Sequence, residues 1–277
     1  MKREYICQKS CSLGDFLKND CKIYRRMITR LKGIENGITV NGMHAKTTQI
    51  LQVGDKVLIT LSDELGLEPN PDLAVEIVFQ NSSVIVFNKP ANMPCHPSIG
   101  HYSDTLGNFF ASVYPQKAFR PINRLDRDTS GLCVCALDAI SAASLTGNIE
   151  KIYYAVVGGE IKESGTVDAP IARESESIIK RCVAENGQRA VTNYTPICAK
   201  NGKTLLKISL ETGRTHQIRV HMSHIGHPLC GDSMYGGDSS CPRQALHCGE
   251  VTFKDPESDE FLHFCSKMPS DIDVERI

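Results

Sequence analysis

Asn123-Arg-Leu-Asp-Arg-Asp-Thr-Ser-Gly-Leu-Cys-Val-Cys-Ala-Leu137 sets two textures side by side. The residues up to Gly131 crowd two Arg, two Asp, Thr and Ser together, and Leu132 to Leu137 is an apolar run of strand length. Asp, Ser and Thr satisfy nearby backbone amides, so the polar half suits a hydrogen-bonded turn. The apolar half suits a strand buried on both faces. Residue types alone leave a local turn and an active site both open.

Working outward, further strand-like segments run Val75 to Phe79, Val84 to Phe87, Ile152 to Val157, Arg189 to Ile197 and Leu205 to Leu210. No helices of βαβ length separate them, so the expected fold is α+β with a mixed, largely antiparallel sheet, over residues 73–277. Ser62 to Asp72, rich in Pro and acids, reads as a linker. Ahead of it, residues 1–61 suggest two short helices and a small β unit. Tyr24, Met27, Ile28 and Leu31 make one helical face, while Lys22, Arg25, Arg26, Arg30 and Lys32 fill the rest. Gly33 can cap that helix; Val40-Asn-Gly42 is a hairpin signal, and Val53-Gly-Asp55 turns into the strand Lys56 to Leu61.

The net charge of −1 hides an asymmetry: residues 1–61 hold 11 Lys/Arg against 5 Asp/Glu, a formal +6, leaving 20 against 27, or −7, for the remainder. A concentrated basic front is the electrostatic footprint of a nucleic-acid binder, although a solvated charged helix fits the same residues. No signal-peptide core or membrane-length apolar run is visible, which points to the cytoplasm and away from membranes. The 12 cysteines lack paired spacings and read as reduced thiols, several of them core filler. Cys7 and Cys11 have no second metal pair nearby, and phosphate-cradling glycine loops are absent, so neither metal nor nucleotide cofactor is expected.

A second stretch, Glu211-Thr-Gly-Arg-Thr-His-Gln-Ile-Arg-Val-His-Met222, reads as a Gly turn entering a short helix that Gly226 and Pro228 would end. Ile218, Met222 and Ile225 share an apolar face; His216, Arg219 and Ser223 share a polar one, which would turn Arg219 away from the core. His216, His221, His224 and His227 do not put three ligands on one face.

Arg124-Leu-Asp-Arg-Asp-Thr-Ser-Gly131 and Thr212-Gly-Arg-Thr-His-Gln-Ile-Arg-Val-His221 together resemble the signature segments of the RluA-type pseudouridine synthases. Asn88-Lys-Pro90 with His96-Pro97, Lys151-Ile-Tyr-Tyr-Ala155, Gly226-His-Pro-Leu-Cys-Gly-Asp232 with Tyr235-Gly236, and Ala245-Leu-His247 match in the same order. The front resembles the alpha-L RNA-binding domain, in which the basic helix contacts phosphates. The resemblance implies an RNA isomerase needing no cofactor, with ribosomal or transfer RNA as partner and no obligate protein partner. It makes Asp126 the essential carboxylate, Arg219 its ion-pair partner, Tyr153 the side chain against the base, and Arg124 the residue that fills the space left by a flipped uridine. Asp128 matches no role. Many members read His-Arg-Leu-Asp where this chain has Asn123.

Overall fold

The local rules of the sequence give a mixed α+β fold built on one large sheet. A computed structural model describes residues 2–60, 66–174 and 179–272, apart from the Arg26 side chain. The sheet runs in the order Gly165–Asp168, Val191–Lys200, Lys203–Leu210, Ile149–Gly158, Leu246–Lys254, Ser130–Ala136, Val84–Lys89 and Glu76–Gln80. Phe261–Cys265 pairs with the far half of Leu246–Lys254. Every pairing is antiparallel except the junction between Leu246–Lys254 and Ser130–Ala136. Ser130–Ala136 is buried at every residue, as its unbroken apolar run requires.

Two features at the parallel junction position the loop before it. Gly131 has φ +113, and a Cβ there would meet the Cys248 carbonyl oxygen at 2.2 Å, so only glycine lets the two backbones approach. One strand on, the pairing of Ile152 with Glu250 and Tyr153 with Cys248 leaves Gly249 as an extra residue. That bulge re-aims the neighbouring side chains opposite Tyr153.

Asn123 explains how the loop is held from its other end. Its side chain is buried, its Oδ1 accepts the Val134 N–H at 2.8 Å and its Nδ2 donates to the Leu132 carbonyl at 2.9 Å. One donor and one acceptor of the amide are used, so this neutral side chain holds the loop against the strand without a charge.

The front of the chain differs in detail from its sequence pattern. Lys2–Ile6 is a strand that the pattern did not announce, paired along its length with Lys56–Thr60 in a small sheet that continues through Ile38–Val40 to Met43–His44. The first expected helix is one turn, Leu13–Asp15, running into a π-turn over Phe16–Asp20. The second is Arg25–Lys32, shorter than its periodicity suggested: Tyr24 has extended backbone and is 48% exposed, so Leu31, Met27 and Ile28 face the core without it. Lys22 likewise lies before the helix, at φ 54, and pairs with Asp259 at 2.9 Å. Gly33 does cap the helix, through N–H bonds to Arg30 and Leu31, but at φ −82 rather than in the left-handed region. The Asn-Gly turn is as expected, with Asn41 and Gly42 at positive φ.

This front unit is not loosely tethered. Its core includes Ala139 and Ile140 of the helix Ala139–Leu145, and Arg3 pairs with Asp138 and donates to Ser141 Oγ at 3.1 Å. Asp138 meanwhile caps that helix, accepting from the Ile140 and Ser141 amides. Of the expected linker, residues 62–65 lie outside the described residues, and the part beyond is tied down: Asn108 Nδ2 donates to the Glu68 carbonyl and the Asn70 N–H to the Asn108 carbonyl.

Substituting Gly131→Ala should lower unfolding stability by at least about 2 kcal/mol, because a Cβ meets rigid backbone at a φ that L side chains avoid. Urea denaturation of the two proteins measures it.

Candidate active site

The loop Asn123 to Gly131 and the helix Gln217–His224 meet at one pocket, lined by Arg124, Asp126, Tyr153, Arg214, His216 and Arg219. They come from three anchored segments. Tyr153 stands on the strand facing the bulge and Asp126 on the turn that ends in the glycine junction. The helix is fastened by Gln217, whose Nε2 donates to the Val191 carbonyl and Thr192 Oγ1 while its Oε1 accepts from Thr212 and the Arg214 amide.

The electrostatic centre is Arg219. Its Nη1 donates to Asp126 Oδ2 at 3.2 Å, and its Nε and Nη2 grip the two oxygens of Asp232 at 2.7 and 2.9 Å. The guanidinium lies over the Tyr235 ring, 5.0 Å from its centroid. Side-chain exposure separates the two carboxylates: Asp126 is 26% exposed and Asp232 1%. Burial opposes the Arg219 cation, but the hydrogen bonds and charge of Asp232, with Asp126 behind them, outweigh it and raise its pKa. The polar face of this helix, expected to turn from the core, is therefore buried against the other polar groups.

Tyr153 is 7% exposed, and burial, followed by the neighbouring Cys248 and Asp126, holds its phenol far above the usual range. Its environment thus favours the phenol over the phenolate. Arg124 is exposed at the rim and has no ion pair among the described residues. Asp128 pairs with Arg127. Beneath the loop, the fully buried Lys89 donates to the Pro90, Met93 and Arg127 carbonyls at 2.8, 2.7 and 3.1 Å, and burial brings its pKa down to about 8. One ammonium thus ties Asn88-Lys-Pro90 to the turn that carries Asp126.

Asp232, Tyr235 and Lys89 were not singled out as site residues from the sequence. Their motifs were visible, but the pairing of Asp232 with Arg219 spans 13 positions and no helical periodicity relates them. The four histidines part company. His221 is buried between Thr192 Oγ1 and the Ala169 carbonyl, His227 bonds the Gly158 carbonyl, and His216 alone lines the pocket. Away from it, Glu250, His263 and Cys265 bring three metal-type donors together at the sheet edge, but Glu250 is already held by Tyr154 and Lys207. Lys22, Arg25 and Arg30 of the front do not line this pocket: Arg25 and Arg30 are exposed on their helix, Arg26 is on the same helix, and Lys22 is in its ion pair.

Comparisons with known proteins bear on this arrangement. Residues 83–224 match the family model described as RNA pseudouridylate synthase. A Bacillus subtilis (strain 168) protein named uncharacterized RNA pseudouridine synthase YjbO is 38% identical over 266 residues, 90% of this chain and 93% of that one. The ribosomal large subunit pseudouridine synthase D of Pseudomonas aeruginosa is 35% identical, covering 88% of this chain and 84% of its own. Among solved structures, human RNA pseudouridylate synthase domain containing 1 superposes with a TM-score of 0.59 at 27% identity, over 75% of this chain and 90% of that one.

Asp232→Ala should cost about 3–5 kcal/mol of stability, since it leaves a buried guanidinium short of its main partner. Asp128→Ala, which removes a half-exposed pair, should cost about 0–1 kcal/mol. Thermal unfolding of both variants distinguishes the two environments.

Proposed function

The chain belongs to the RNA pseudouridylate synthase family and is an isomerase acting on RNA, and we propose that it converts uridine in ribosomal RNA to pseudouridine with Asp126 as the reacting carboxylate. The observation that supports this most is the geometry around Asp126: a partly open carboxylate, balanced by a buried guanidinium that is itself anchored from behind. Ribosomal RNA comes first because the relative from Pseudomonas aeruginosa is named for the large ribosomal subunit.

The reaction breaks the bond from the ribose to a ring nitrogen, turns the base and rejoins it through a ring carbon, which gives up its proton while the freed nitrogen takes one up. No electrons or groups come from outside. Asp126 serves as a nucleophile at sugar or base, or removes a sugar proton, and each route uses its carboxylate form. Arg219 fixes one rotamer of it. Tyr153, held protonated, donates a hydrogen bond or passes a proton beside the base. A stacked uridine is out of reach of these groups, so the base is flipped, and Arg124 at the rim fills the gap it leaves.

We read residues 1–61 as an RNA-binding unit, 62–72 as its connection and 73–277 as the catalytic unit. Arg25, Arg26 and Arg30 supply the phosphate contacts that the acidic remainder lacks; Lys22 adds one only if its Asp259 pair opens. No helix among the described residues is long and apolar enough to cross a membrane. RNA in the cytoplasm is the accessible substrate.

Asp126→Ala should cut pseudouridine formation on the order of 10⁴-fold while RNA affinity stays close to wild type, read by adduct mapping and filter binding. Retained activity would exclude this carboxylate. Arg25→Gln with Arg30→Gln should flatten the plot of log affinity against log salt by about 1.4–1.8, the share of two phosphate contacts. An unchanged slope would remove that helix from the RNA interface.

A further inference from the structure

His216 stands at a corner of the pocket in a conformation its residue type does not favour. It precedes the helix Gln217–His224 with φ 57 and makes no capping hydrogen bond. Its ring meets Tyr235 edge to face at 5.7 Å, and its Nδ1 lies 2.8 Å from the Tyr235 hydroxyl. That hydroxyl accepts the Arg181 backbone N–H at 2.9 Å. An amide N–H can only donate, so the phenol's own proton is left for another acceptor, and His216 Nδ1 is in range. An imidazole that accepts at Nδ1 carries its proton on Nε2 when neutral. Nε2 is 3.8 Å from Asp126 Oδ2, too far for a hydrogen bond, and has no hydrogen-bond partner among the described residues.

We propose that His216 is a substrate-contacting residue, a neutral imidazole whose Nε2–H donates to an oxygen of the uridine brought against Asp126, with its tautomer set by the relay from the Arg181 amide through Tyr235. The proposal rests on the isomerase reading of this pocket. It accounts for the left-handed backbone, which turns the side chain from the helix end into the pocket and onto Tyr235. The charged groups around the ring are Asp126 from the loop, Arg219 from the helix, Arg181 from the strand Arg181–Val183 and Asp232 from the turn before Tyr235. Burial, then the two arginines, lower the His216 pKa against the pull of Asp126 and Asp232. The neutral form therefore persists at neutral pH, and acid removes it by placing a proton on Nδ1 against the relay.

The test uses the full chain with a large-subunit ribosomal RNA transcript tritiated at uridine C5, whose label is released on isomerisation. His216→Phe should lower kcat/KM by about 10–100-fold, the range of one hydrogen bond in a closed site. His216→Gln, which keeps an amide N–H near Nε2, should recover most of it. Tyr235→Phe keeps the ring over Arg219 but opens the relay, and should move the acid limb of the kcat/KM profile to higher pH. Target uridines carrying 2′-deoxy, 2-thio or 4-thio substitutions locate the acceptor, since wild type and His216→Phe should converge on the one that lacks it. Wild-type kcat/KM in His216→Phe, an equal defect in His216→Gln, an unmoved limb in Tyr235→Phe, or convergence on none of the analogues would overturn the proposal. A wild-type protein that releases no tritium from any RNA would instead refute the isomerase reading beneath it.

Discussion

One cation shared by two carboxylates governs this molecule. Arg219 is nearly closed off from water and could not stay there charged without Asp232, which takes two of its donors in bidentate fashion. Of the three N–H donors that remain, one is directed at Asp126. The deep carboxylate fixes the guanidinium, and the guanidinium fixes the shallow carboxylate, so Asp126 is oriented without being buried itself. Lys89 does comparable work under the loop, with carbonyls in place of carboxylates.

Much of this was legible in the sequence. The apolar run after Gly131 announced the central strand, and the alternating segments announced a largely antiparallel sheet. Asp126 and Arg219 could be paired because their motifs resemble those of a known family; spacing alone relates nothing across 93 positions. The helix around Arg219 was placed correctly but its surroundings were not. Periodicity separates polar from apolar faces, and it is blind to a polar face that is itself covered by Asp232 and Tyr235. Lys2–Ile6 and Phe261–Cys265 escaped for a simpler reason. Both alternate between exposed and half-buried, so neither carries the continuous apolar signal of a central strand.

Asn123 shows how a departure from a family pattern is read only in three dimensions. Its amide completes the strand-edge pairing of Leu132 and Val134, a task defined by one donor and one acceptor and indifferent to the residue's name. Tyr24 and Lys22 show the converse. Both fit a helical wheel, but the chain enters the helix at Arg25, three residues later than a wheel that includes Lys22 assumes, and Lys22, in a left-handed turn, pairs with Asp259.

Asp138 caps a helix of the large unit and receives Arg3 from the small one, so one carboxylate serves as both end-stop and docking post. If the basic helix grips phosphates, the two units work as a caliper of fixed span, not as a hand on a string. Such an instrument selects RNA by the separation between a duplex handle and a reachable uridine, and tolerates changes of sequence that preserve that separation.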